Sequence, residues 1–217
     1  MELPILLRQA IDHALEGVAL ADLTRAAASL SARYRGETRD GRLHLSDDLR
    51  AKAYLATRLP ATYAAVRAAM AELAERRSDF APKTLLDVGA GPGTVLWAAA
   101  DCWPGLEAAR LIEASGAIRK WGETLAETSP VAEVTWQSAD IAKGLPAGSR
   151  PDLVSLAYVL SELAPETRDK LVEQLWAVTG DVLLLVEPGT PKGWERIAVA
   201  RSRLLAQGAH ILAPCPH

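Results

Sequence analysis

A doubly wound α/β fold, with a mainly parallel sheet preceded by a helical N-terminal region, is predicted by three features of the 217-residue sequence. Apolar residues before Lys83 recur at three- to five-residue spacing, which stacks them on helix faces. From Lys83 onward short apolar runs alternate with helical stretches, the pattern of a parallel sheet covered on both faces. A glycine-rich turn stands where the first of those runs gives way to a helix, and such sheets take ligands at the carboxyl ends of their strands.

In chain order, Leu6, Ile11, Leu15 and Val18, then Leu23, Ala27 and Leu30, define helical stripes. Ser46, followed by Asp47 and Asp48, is expected to cap the next helix, the acids complementing its dipole. That helix carries Leu49, Ala53, Leu55 and Leu59. Pro60 marks a boundary or kink, and Tyr63 to Arg77 resumes as an Ala-rich helix. Nothing chemical stands out in residues 1–80, which read as a helical cap or packing layer, with 78–82 as a polar linker. Residues 81–217 are expected to form the α/β domain, with strands over 84–88, 110–113, 133–136, 152–158 and 181–186 and helices over 95–102, 115–127 and 167–178. Residues 209–212 are left for a sixth strand, and no sequence follows for an antiparallel seventh, so the domain is expected to be C-terminally incomplete.

An apolar content of 49% suits one α/β domain with a modest extra element rather than two full domains. No apolar run reaches membrane-spanning length, and the N-terminus lacks the basic start and apolar stretch of a signal peptide. With only Cys102 and Cys215, the chain reads as a soluble cytoplasmic protein without a membrane partner. A net charge of -3 excludes a whole-chain electrostatic footprint for nucleic acid. Local positive charge gathers at Arg33, Arg35, Arg39 and Arg42, and again at Lys192, Arg196, Arg201 and Arg203. Lys192, Arg196 and Arg203 share a helical face, and any RNA contact is expected along a rim joining them to the first cluster.

The strongest local signal is Asp87-Val-Gly-Ala-Gly-Pro-Gly93. Gly89, Gly91 and Gly93, with Ala90 between them, let bare backbone approach a ligand closely. A dinucleotide-binding turn wants glycine or alanine at the next position, which is Thr94 here; glycine at every second position fits S-adenosylmethionine (SAM) instead. Glu113, at the next strand end, is suited to accept hydrogen bonds from both ribose hydroxyls. Asp140, after the third strand, is placed to accept from the adenine amino group while Ile141 packs the ring. Asp87 is expected to order the glycine loop and the methionine end of the cofactor.

At these positions the chain resembles the class I SAM-dependent methyltransferases, a Rossmann-like family, from about Lys83 to Val186. Tyr158-Val-Leu-Ser-Glu-Leu163, Glu187-Pro-Gly-Thr-Pro-Lys-Gly-Trp194 and Ala213-Pro-Cys-Pro-His217 are similar to the Rsm22 family of bacteria and mitochondria. The resemblance implies SAM as cofactor, association with the small ribosomal subunit, and methyltransferase-like activity on ribosomal RNA. It also implies that the Cys-Pro-His turn opens a cysteine set for an iron–sulfur cluster. Such a cluster needs four ligands, so Cys215 would serve only in a longer chain with further cysteines, and no cluster is expected in residues 1–217.

Methyl transfer from a sulfonium is an in-line displacement that depends on alignment and water exclusion more than on a base. After the fourth strand the sequence lacks the Asn/Asp-Pro-Pro-aromatic turn used on exocyclic base amines, and no cysteine follows the fourth or fifth strand for attack on a pyrimidine carbon. Tyr158 is a candidate to stack on a base and Glu162 to orient or deprotonate it, although packing and helix capping explain both equally well. Glu187, Pro188 and Thr190 form the other candidate wall of the acceptor pocket, or else a structural turn in which Thr190 caps the next helix. His210 and His217 lack partners at ligand spacing. Three functions remain open: a SAM-dependent methyltransferase on small-subunit ribosomal RNA, a SAM-binding assembly factor of that subunit with weak or lost catalysis, and, more distantly, a nicotinamide-dependent oxidoreductase.

Overall fold

The computed structural model describes residues 2–38, 40, 43–146, 148 and 150–214. Four helices come first, α1 (Ile5–Leu15), α2 (Leu20–Arg35), α3 (Asp48–Thr57) and α4 (Leu59–Arg76). Alternating elements follow: β1 (Thr84–Val88), α5 (Thr94–Cys102), β2 (Ala108–Ile112), α6 (Gly116–Ala126), β3 (Glu133–Gln137), β4 (Leu153–Ala157), α7 (Pro165–Val178), β5 (Val182–Val186) and α8 (Pro191–Ala206). Short 3-10 turns at Ile141–Lys143 and Leu160–Glu162 follow β3 and β4. The five strands are all parallel, in the order β3-β2-β1-β4-β5. The winding therefore runs one way from β1 and the other way from β4, which opens a crevice at the carboxyl ends of those two strands.

Successive side chains point to opposite faces of the sheet. Leu85, Ala109, Leu111 and Leu153 enter one core with α5 and α6, while Leu86, Val88, Ile112, Val154 and Leu156 enter a second with Leu171, Val172 and Leu175 of α7 and Ala200 and Leu204 of α8. The first core continues outward through Leu7, Leu30, Leu55, Tyr63 and Met70, all at most 1% exposed. The four N-terminal helices are thus a third layer, with α4 along α5 and with α1 and α3 against α6. A polar stitch secures that layer: the Tyr63 hydroxyl and Arg67 Nε both donate to Asp101 Oδ2, at 3.0 and 2.7 Å. At the amino end of the sheet Asp152 Oδ2 accepts from the backbone N–H groups of Lys83 and Thr84, at 2.8 and 2.9 Å, and sets β1 beside β4.

Several local expectations shift. The cap of α3 is Asp47, whose Oδ1 accepts from the Arg50 N–H at 2.9 Å, whereas Ser46 Oγ takes the Arg50 side chain at 2.8 Å. Pro60 lies in the first turn of α4, where its missing N–H costs nothing. Thr190 caps α8 as expected, accepting from Gly193 N–H at 3.1 Å. Residues 209–212 form no strand: the chain leaves α8 through Gly208 at φ 83° and Ala209 packs into the second core, so β5 is an edge strand among the described residues. No helix among the described residues is long and apolar enough to cross a membrane.

A close approach between α6 and β3 provides a test of this packing. A Cβ at Gly122 would lie 2.3 Å from Trp136 Cη2 and 2.8 Å from Cζ2. Gly122→Ala should therefore destabilise the protein by about 1–3 kcal/mol in urea denaturation, because overpacking exceeds the roughly 1 kcal/mol gained in helix propensity.

Candidate cofactor site

After Val88 the chain turns through Gly89, Gly91 and Gly93 at φ 71°, 55° and 78°, a left-handed region that glycine enters without a Cβ clash. The N–H groups of Gly89 and Ala90 both donate to the Ile112 carbonyl, at 2.9 and 3.0 Å, which hooks the turn onto the end of β2. A Cβ at Gly89 would meet Val159 Cγ2 at 2.4 Å, so the segment leaving β4 rests on bare backbone. Glu113 closes the arrangement. Its Oε2 accepts from Gly91 N–H at 2.9 Å and its Oε1 from Ser115 N–H at 2.7 Å, and each oxygen keeps a second lone pair for another donor. Burial raises the Glu113 pKa, and these backbone hydrogen bonds oppose the shift.

Asp87 lies beneath the turn and is 1% exposed. Its partner in register on β4 is Ser155, whose hydroxyl donates to Oδ1 at 2.7 Å; Oδ2 has no partner. Burial pushes the Asp87 carboxyl up to about 7, the Ser155 bond opposes this, and the charge of Glu113 adds to it. The hydroxyl of Thr94, at the start of α5, is also buried without a partner. Two polar atoms with spare hydrogen-bonding capacity therefore bracket the glycine turn in sequence.

On the other side of the crevice Tyr158 takes φ 62°, a left-handed conformation unusual for a bulky residue, and its N–H donates to the Val186 carbonyl at 2.8 Å. Glu187 has a side chain only 1% exposed and both oxygens engaged: Oε1 accepts from Leu160 N–H at 3.1 Å and Oε2 from Arg196 at 3.1 Å. Pro188 is held by close packing, since a Cβ at Gly193 would lie 2.0 Å from its carbonyl oxygen. Glu162 remains exposed on the crevice side. Desolvation of its carboxyl by the surrounding wall, then the charges of Glu113 and Glu187, raise its pKa, while Arg33 pulls it down. Asp140 is exposed at the end of β3, where it accepts from Ala142 N–H at 3.0 Å; Ile141 packs against the second core. The structure thus brings Glu113 within electrostatic reach of both Asp87 and Glu162, and Glu187 within reach of Glu162; Asp140 is in neither set.

The N-terminal helices contribute residues of which the sequence marked only Arg33, and that as part of a basic cluster. Arg33 reaches Asp40 with two hydrogen bonds, at 3.0 and 2.9 Å, and His44 Nδ1 at 3.2 Å. The Tyr34 ring lies against His44, and the Arg58 guanidinium stands 4.4 Å over that ring. Tyr34 and Tyr54 both feel the charge of Glu162, and burial is the main reason that their hydroxyl pKa values rise, Tyr54 to about 12. The segment between α2 and α3 is fastened at both ends. Glu37 pairs with Arg196 of α8, while the Leu45 carbonyl accepts from Ser115 Oγ and Asp48 Oδ1 from Trp121 Nε1, both on the α6 side. Ser155 was visible in principle, as a polar residue within an apolar strand; no local signal marks Tyr34.

The expected cationic rim is corrected. Arg196 is 8% exposed and held between Glu37 and Glu187, Lys192 lies 3.8 Å from Glu37, and Arg203 pairs with Asp169 and Glu173. Carboxylates brought from other elements consume this charge. Arg39 and Arg42 lie outside the described residues, as do Cys215 and His217. Among the described residues no group of three or more His, Cys, Asp or Glu could hold a metal ion.

Two outcomes follow from this electrostatics. Asp87 has a folded-state pKa above its unfolded value, so ionising it costs stability that grows as pH rises from about 4 to about 7. Asp87→Asn should therefore raise the melting temperature more at pH 8 than at pH 5, which thermal melts across that range will show. Arg196→Ala leaves Glu187 buried and unpaired, and should cost about 3–5 kcal/mol in denaturant titration, a loss of folding stability rather than of surface charge.

Against known proteins, the profile of the family described as mitochondrial small ribosomal subunit Rsm22 matches residues 48–217. The human ribosome assembly protein METTL17, mitochondrial, is 34% identical over 178 residues, covering 76% of this chain and 39% of that protein. The fission yeast (Schizosaccharomyces pombe) Rsm22-cox11 tandem protein 2, mitochondrial, is 26% identical, covering 89% of this chain and 28% of that protein. The chain thus spans less than half the length of either relative. Among solved structures, an O-methyltransferase family protein from Burkholderia thailandensis superposes with TM-score 0.57 at 15% identity, over 75% of this chain and 51% of that one. The plantazolicin methyltransferase BpumL, in complex with SAH, gives 0.51 at 14% identity, over 82% and 61%. These structures share the fold, a methyltransferase-type Rossmann-like sheet. The expectation of a cytoplasmic protein is overturned by the mitochondrial designation that the family and both relatives carry. With most of its length matched by the family profile and three quarters of it by the human relative, the chain belongs to the Rsm22 family.

Proposed function

We propose that the protein is a SAM-binding factor of small-ribosomal-subunit assembly, in contact with ribosomal RNA. The observation that carries the cofactor reading is the glycine turn itself, with buried Asp87 beneath it offering a partnerless Oδ2 and Glu113 at the neighbouring strand end. The residues fit the group. Gly89, Ala90, Gly91 and Gly93 would lie along the methionine portion, Asp87 would order its ammonium end, and Glu113 would accept from the ribose hydroxyls; Asp140 and Ile141 would meet the adenine. Bound SAM supplies an electrophilic methyl group on a sulfonium. The ribosomal reading is supported by family membership and by the human relative, a ribosome assembly protein.

Assembly is favoured over catalysis because the acceptor-side wall is committed to structure. Glu187 holds Leu160 and Arg196, and Thr190 caps α8. Methyl transfer to ribosomal RNA is the second reading, favoured by Glu162, an exposed carboxyl whose raised pKa suits a proton acceptor near neutral pH.

Calorimetry should give a micromolar-scale Kd for SAM that Glu113→Ala weakens about tenfold, the loss of a charge-assisted pair of hydrogen bonds. Tighter binding of NAD than of SAM would overturn the cofactor reading. The protein should also co-sediment with small subunits or their precursors without passing label from tritiated SAM to their RNA. Turnover of that label selects the second reading, and failure to co-sediment rejects both.

A further inference from the structure

The crevice holds one carboxylate more than these duties use. Asp87 is the penultimate residue of β1, Glu113 follows β2, Glu162 follows β4 and Glu187 follows β5. Asp87 is tied to Ser155, Glu113 to two backbone N–H groups, and Glu187 to Arg196 and Leu160. The Glu162 side chain has no hydrogen-bond or ion-pair partner among the described residues, and it is exposed. Its position is nevertheless defined by the backbone. Tyr158 turns the chain out of β4, Val159 rests on Gly89, Leu160 N–H is bound to Glu187, and Glu162 N–H closes the turn on the Val159 carbonyl at 2.9 Å. Glu162 is thereby held between the glycine turn and the end of β5. The charged and titratable groups facing it are Glu113 from β2, Glu187 from β5 and, from the N-terminal helices, Arg33, Tyr34 and Tyr54. The one cation in that set, Arg33, is already bound to Asp40 by two hydrogen bonds.

SAM differs from its demethylated product, S-adenosylhomocysteine (SAH), by a methyl group and by one positive charge at sulfur. A crevice carboxyl whose pKa is pushed up to about 8 by burial and by the charges of Glu113 and Glu187 ionises against an arriving cation, which favours the charged ligand, and a low-dielectric wall strengthens that preference. We propose that Glu162 is a specificity-determining residue that senses the sulfonium charge, so that the protein is loaded by SAM and released by SAH. Asp87 Oδ2, buried and without a partner, is an acceptor for the ammonium that SAM and SAH share, which leaves discrimination at sulfur to Glu162. The inference rests on the SAM-binding reading and adds to it a response to the ratio of methylated to demethylated cofactor. Assembly of the subunit would then proceed only while methyl donor is plentiful.

Calorimetry on the full chain with SAM, SAH and sinefungin, an analogue carrying an amine cation near the sulfonium position, tests it. In the wild type, SAM and sinefungin should bind about tenfold tighter than SAH, and added salt should weaken SAM more than SAH. Glu162→Gln keeps the shape and removes the charge, so SAM and sinefungin should weaken about tenfold while SAH changes less than twofold. Equal wild-type affinities for SAM and SAH, or an equal loss for all three ligands in Glu162→Gln, overturns the inference while leaving SAM binding intact. Absence of binding by any of the three to the wild type rejects the SAM-binding reading itself. If the variant fails to fold, an equal salt dependence of SAM and SAH binding in the unaltered protein still overturns the inference.

Discussion

The carboxylate of Glu113 is the interaction on which the rest of the site depends. It draws two N–H groups from different loops onto one side chain, Gly91 from the turn after β1 and Ser115 from the start of α6. Charge-assisted hydrogen bonds of this kind are short and strong, and they hold a loop of glycines that would otherwise have many conformations. The parallel register of Val88 opposite Ile112 brings the groups within reach. Everything around the crevice is attached to those two loops. Val159 lies against Gly89 and positions the chain leaving β4, while Ser115 Oγ reaches the Leu45 carbonyl and positions the segment between α2 and α3.

Much of this architecture was legible because buried parallel strands read as short apolar runs, and all five appear within two residues of their expected limits. The glycine turn and Glu113 were legible for a related reason: a ligand crevice at strand ends demands special residues at fixed offsets from those runs. Errors came where local choices are close in energy or where pairing decides. Ser46 and Asp47 are both good caps, and the helix starts one residue later than the first of them allows. Residues 209–212 are apolar enough for a strand but find no partner, and a strand exists only through its pairing.

Arg196 shows the harder limit. On a helix wheel it completes a basic stripe with Lys192 and Arg203, and nothing nearby in sequence except Glu195 argues otherwise. Its partners Glu37 and Glu187 arrive from the segment after α2 and from the end of β5, so Arg196 becomes the buried centre of an ion network. The aromatic and cationic groups of the N-terminal helices were invisible for the same reason. Tyr34, His44 and Arg58 acquire meaning only when the N-terminal helices are laid over α5 and α6 and Tyr34 and Tyr54 come within reach of the charge of Glu162.

The pairing of Glu37 with Arg196 joins positions 159 residues apart. Closing so long a loop carries a large entropic cost, and the contact gives nothing back until both ends are in place. During synthesis from the N-terminus, the four helices and most of the sheet can assemble while the end of α8 is still unmade. The Glu37–Arg196 contact therefore forms after the four helices and most of the sheet have been made. A chain in which α8 has not yet docked leaves Glu187 without its arginine, and the turn after β5 lacks the ion pair that fixes it.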